Sequence, residues 1–136
     1  MDLGGKTIKG VCAIDIVASK DLATGTDGTS TIIHAAGRVG GSTGIIRSVD
    51  SGETWSVIDM TPHAGMILDV KFFDENEGLV FASTGTDVPT THGLVLRTTN
   101  GGQDWSEVYR GSRPQELVWK ASFPNRLTGF ATIQSY

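Results

Sequence analysis

The chain has 136 residues and a formal net charge of -4, set by 11 Lys and Arg against 15 Asp and Glu, with 18 Gly, 4 Pro and 1 Cys. That balance argues against a nucleic-acid partner, and one cysteine excludes an internal disulfide framework or a multi-cysteine zinc module. No run of about 18 apolar residues occurs and the start MDLGGKTIKG carries no apolar signal region, so direct membrane insertion and an export leader are not expected, and the compartment is left open.

Short runs of β-branched and aromatic residues, punctuated by Gly, Asn, Asp and Pro, predict strands from end to end. In chain order they fall near 11–18, 31–37, 44–48 and 54–58, then 67–73, 79–84, 93–98 and 104–109, and finally 117–123 and 129–135. Ser19 to Ser30 reads as a longer, less patterned loop, and no segment offers a long helical stripe. RSVDSGETWSVI at 47–58 aligns without gaps on RTTNGGQDWSEV at 97–108, an offset of 50 residues. VKFFDENEGLVFA at 70–82 matches ASFPNRLTGFATI at 121–133 at an offset of 51, with Phe72 over Phe123 and Gly78 over Gly129.

A period near 50 filled with short strands is that of four-stranded propeller blades. The expected fold is all-β, a partial β-propeller of about two and a half four-stranded antiparallel blades. Blade one spans about 8–58, blade two about 67–109 and a half blade about 117–136. Propellers close with about four to eight blades, so such a chain should leave sheet edges and apolar faces uncovered, as in a fragment or a part that assembles.

Ser48-Val49-Asp50-Ser51-Gly52-Glu53-Thr54-Trp55 fits S-x-D-x-G-x-T-W and resembles the Asp-box, or BNR repeat, of sialidase-type propellers. The second copy keeps Thr98, Asn100, Gly102 and Trp105, but Asn100 gives up the charge and Asp104 stands where Thr54 stood. Such a residue set stabilises its own hairpin: the carboxylate accepts turn N–H groups, the hydroxyl closes a local bond and Gly permits positive φ. Both copies are therefore read as structural.

The surrounding ILDVKFFDENEG, GLVLRTTNGGQDW and ELVWKASFPNRLTGFAT resemble the photosystem II stability and assembly factor family and its bacterial BNR-like relatives, over about residues 8–136. The resemblance implies a non-enzymatic chaperone or scaffold that contacts membrane-protein partners through a charged surface. The chain departs from that family in length and in lacking the usual leader. The family's partner-binding residues are not carried over, because the motifs that match are structural ones.

Several candidate chemistries have bland alternatives. Gly40-Gly41-Ser42-Thr43-Gly44 matches the nucleophile elbow G-x-S-x-G, but strand-like Ile45-Ile46-Arg47-Ser48 follows where a helix is required. Asp74-Glu75-Asn76-Glu77-Gly78 opens like an EF-hand loop, yet Gly85 occupies the position of the bidentate carboxylate, so a turn is expected. His34, His63 and His92 show no paired ligand spacing, and no metal or cofactor is expected.

Loops in a blade alternate between two faces, which puts 38–43, 59–66, 85–91 and 110–116 opposite the tryptophan turns. That loop face makes Arg38, His63, Arg110, Arg113 and Glu116 a candidate binding surface. Asp15, Asp69, Lys71 and Lys120 alternate with apolar residues on inner strands that would line a channel, or else pair between strands.

The function expected is a non-enzymatic binding or assembly scaffold whose partner is another protein or itself, the ring closing by homo-oligomerisation. The alternative is a sialidase-like glycan-binding or glycan-hydrolysing propeller fragment. It would gather several of Arg38, Arg47, Arg97, Arg110 and Arg113 with Tyr109 and Glu116 in one pocket.

Overall fold

A computed structural model describes residues 5–6, 8–20, 27–39 and 41–136, without the side chains of residues 8, 20, 27, 38 and 39. Its described part is all-β apart from one 3-10 turn at Val88–Thr90. Ten strands occur in it: β1 (Ile8–Lys20), β2 (Asp27–Val39), β3 (Ser42–Ser48), β4 (Ser56–Asp59), β5 (Met66–Phe72), β6 (Gly78–Ser83), β7 (Gly93–Thr98), β8 (Ser106–Arg110), β9 (Glu116–Asn125) and β10 (Thr128–Ser135). They form three antiparallel meanders, β1-β2-β3-β4, β5-β6-β7-β8 and the two-stranded β9-β10.

All ten expected strands are present. The main difference lies at the first hairpin, where β1 and β2 run well past the expected 11–18 and 31–37. Cross-strand pairs continue through Ala18↔Thr31 to Lys20↔Asp27, so polar residues expected in a loop are extended by pairing with each other. Residues 21–26 of the expected loop lie outside the described residues.

Alternation decides what each sheet buries. On β1, Ala13 joins the main core and Val17 packs against it, so Ile14 and Ile16 point to the opposite face. The core lies between the first and second sheets: Ala13, Ala36 and Ile45 meet Phe72, Val70, Val80 and Leu96, closed at one end by Met60 and Ala64. The second sheet's other face meets the third, where Phe73 and Phe81 contact Phe123, and Val95 shares a groove with Val118.

The repeated Phe and Gly have one steric explanation. Phe72 pairs with Gly78 across the hairpin, and a Cβ on Gly78 would lie 2.6 Å from the Phe72 ring. A Cβ on Gly129 would likewise run into the Phe123 ring. In both hairpins the aromatic ring lies over a residue that must have no side chain.

Candidate functional site

The two tryptophan turns are nearly bond-for-bond copies. Ser48 Oγ donates to Asp50 Oδ1 and accepts from Gly52 N, each at 2.8 Å. Asp50 accepts from Thr54 N at 2.9 Å and from the Thr54 hydroxyl, and Trp55 Nε1 donates to Gly52 O at 2.9 Å. In the second turn Thr98 Oγ1 donates to Asn100 Oδ1 and accepts from Gly102 N. Asp104 N donates to Asn100 Oδ1, and Trp105 Nε1 donates to Gly102 O.

The charge has changed places in the second turn, where the Asn100 amide donates to the Asp104 carboxylate at 2.8 Å. Gly52 at φ 92° and Gly102 at φ 90° supply the left-handed residue each turn needs. Hydrogen bonds from the Thr54 hydroxyl and N–H, and then from Ser48, pull the Asp50 carboxyl down to about 2.

The four charged residues of the inner strands act between sheets. Asp15 on β1 accepts from Lys71 Nζ at 3.0 Å and from Phe72 N at 2.7 Å, both on β5. Asp69 on β5 accepts from Ala121 N at 2.9 Å and lies 3.4 Å from Lys120 Nζ, both on β9. Each carboxylate thus takes one ammonium and one backbone N–H from the next sheet, tying first to second and second to third. By the offset of 51, Lys120 occupies on β9 the position Asp69 holds on β5, so the third sheet presents no carboxylate at that position to a fourth.

The connections at 60–65, 84–92 and 111–115 gather at one end, linked by Met60 N to Thr43 O, Gly65 N to Ser83 O and Gly111 N to Gly93 O. Among the described side chains of the candidate binding surface only Arg113 and Glu116 are joined, at 2.7 Å, with Glu116 buried and Arg113 open to solvent. Arg110 pairs with Glu107, and His63 is exposed. The Arg38 backbone belongs to β2, while its side chain lies outside the described residues.

Among the described side chains, the arginines named for the glycan-cleaving alternative engage separate carboxylates or, for Arg47, His34. Arg97 pairs with Glu77, Arg110 with Glu107 and Arg113 with Glu116. Among the described residues, no three of His, Cys, Asp and Glu could hold a metal ion. Gly40 lies outside the described residues, and β3 rather than a helix follows Gly41. The Asp74 segment is the β5–β6 turn, with Asp74 Oδ1 accepting from Asn76 N and Glu77 N.

Two groupings escape a reading of the sequence alone. Arg126 pairs with both Asp74 and Glu77. Asp15, His34, Arg47 and Ser56 stand in one row across β1, β2, β3 and β4, each in register with the next. His34 is fully buried, stacked on Phe72 at 3.5 Å, and its Nε2 accepts from Arg47 Nε at 3.2 Å. The proton therefore resides on Nδ1, which has no partner among the described residues. Burial, reinforced by the Arg47 charge, drives the His34 imidazole down to about 3, so it is neutral at ordinary pH.

Arg47 also donates to Glu75 O at 3.2 Å and lines a cleft of about 450 Å³ between the first two sheets. Alternation marks Asp15 alone, and no sequence signal joins it to His34, Arg47 and Ser56, because register between strands sets the row.

Comparison of the chain with protein-family models, with curated proteins and with solved structures finds no match.

Proposed function

We propose that the chain is a partial Asp-box propeller, each four-stranded meander a blade and β9–β10 half of a third, which serves as a non-enzymatic assembly scaffold. Its partner is a second copy of itself.

The observation that carries this reading is apolar surface at both ends of the stack. Ile14 is 63 % exposed and Ile16 56 % on the outer face of β1, while Phe130 is 71 % exposed on β10. Ala131 and Ile133 line the groove toward the second sheet, so alternation turns Phe130 to the outer face of the third. A contact from the outer face of β9–β10 to the outer face of β1–β2 in a second copy would repeat the stacking already present twice within the chain. Two such contacts would close a ring of two chains. The contact would be apolar, because Lys120 stands where the carboxylate of the internal connections would be.

Light scattering coupled to size exclusion tests this. The expected mass is twice 14.4 kDa, little changed between low and high salt. A monodisperse 14.4 kDa species at about 100 μM would refute self-assembly.

A further inference from the structure

Arg47 differs from the other arginines whose side chains are described. Arg97, Arg110, Arg113 and Arg126 each have a carboxylate within 4.0 Å, and Arg47 has none among the described residues. Its guanidinium is half-buried, and burial lowers its pKa against the opposing pull of the more distant Glu75 charge. Of the five guanidinium N–H groups, one goes to His34 and one to Glu75 O, which leaves about three for a ligand. They face a cleft of about 450 Å³ shared with Ser56, Ile58, Asn76, Gly101 and Gln103. A cation part-way out of water and unmatched by an anion is a poor structural choice unless something pairs with it.

The cleft also contains a strand edge that is open among the described residues. There β4 pairs with β3 alone, which leaves its outer N–H and C=O groups open to another strand. Arg47 pairs in register with Ser56, and the two share one face of the sheet. A strand added beside β4 would place one residue opposite Ser56, about 4.8 Å farther out. From there a glutamate can reach back over the small Ser56 side chain to the Arg47 guanidinium and extend the row Asp15, His34, Arg47, Ser56.

We propose that this cleft binds an extended peptide by strand addition along β4, with one acidic side chain of the peptide received by Arg47. Recognition combines main-chain hydrogen bonds for affinity with one charged pair for specificity. A polyacidic segment is disfavoured, because Asp59 lines the same cleft and the chain is itself acidic. The second sheet supplies an internal control. Arg97 stands at the same repeat position, pairs in register with Ser106 beside the edge strand β8, and is already bound to Glu77. The site is thus at β4 and not at β8. None of this depends on how the propeller closes.

The test uses the full chain and two blocked heptapeptides of alternating threonine and valine, one with a central glutamate and the other with glutamine. Amide chemical shifts followed by NMR should move at Ser56 to Asp59, with the glutamate peptide binding about tenfold more tightly. Arg47→Gln should abolish the difference, Arg47→Lys should keep part of it, and Arg97→Gln should leave it intact. Equal binding of the two peptides, binding of neither, or shifts centred on β8 would overturn the proposal. The comparison of peptides on the unaltered protein holds even if a variant folds poorly.

Discussion

Trp55 and Trp105 occupy the same place in two copies of one turn and donate the same bond to a glycine carbonyl, yet they meet different surroundings. Trp105 packs against the main core and meets Phe72 edge-on at 6.4 Å, between two sheets. Trp55 lies over Ala35, Ile46 and Val57 on the outer face of the first sheet, in a small cluster that neither of the other described sheets covers. The turn is made by its own residues. What the tryptophan contributes beyond the turn depends on whether a sheet lies against it. The same contrast separates Phe72, fully buried between two sheets, from Phe123, half-buried under the two-stranded third sheet.

The largest effect that would sharpen this comparison is at the phenylalanines. Phe72→Ala should cost about 4 kcal/mol in urea unfolding, from lost burial and the cavity left beneath His34, and Phe123→Ala about half as much. Equal costs would mean that the third sheet covers its neighbour as fully as the first does. Next come the tryptophans. Trp105→Ala should cost roughly 2–3 kcal/mol and Trp55→Ala about 1 kcal/mol in the dissociated chain, and assembly should narrow the gap by covering Trp55.

A third effect belongs to the covered interface alone. The folded His34 titrates near 3 and the unfolded imidazole near 6.5, so the unfolded chain binds the extra proton between those values. Stability from the buried neutral ring is therefore complete above about pH 6.5 and is lost as pH falls toward 3, by up to about 1.4 kcal/mol per pH unit. Urea midpoints across that window should decline accordingly, and His34→Phe should flatten the slope. A slope unchanged by that substitution would place the acid sensitivity elsewhere.

The smallest effect distinguishes the turns themselves. Asp50 has its folded carboxyl pulled to about 2 from an ordinary 3.8, so its contribution is present above about pH 4 and is lost as pH falls through 2. Carbon-detected NMR should place the Asp50 midpoint near 2. An Asp50→Asn chain should lose that acid-side sensitivity, as the second turn, with Asn100, already does at that position.

Much of this was legible in the sequence because it is local. The runs of β-branched residues mark the strands, and Ser48, Asp50 and Gly52 close a turn within a few residues of one another. The alternation on β1 and β5 marked Asp15 and Asp69, but their partners lie more than 50 residues away and follow from how sheets stack. Arg47 and His34 meet only because β2 and β3 pair in one register. The connections that carry the loop-face residues hydrogen-bond to one another at one end of the sheets, as topology requires, while Arg110 pairs with Glu107 and Arg113 with Glu116.

The central claim is that the outer face of β9–β10 in one chain covers the outer face of β1–β2 in another. Two variants, Ile14→Asp and Phe130→Asp, each spoil one of these faces and leave the other intact. Separately, each should be a folded 14.4 kDa monomer by light scattering. Mixed in equal amounts they should recover a species of twice that mass, because the intact β9–β10 face of the Ile14→Asp chain can meet the intact β1–β2 face of the Phe130→Asp chain. A mixture that stays monomeric, or single variants that still dimerise, would contradict the account.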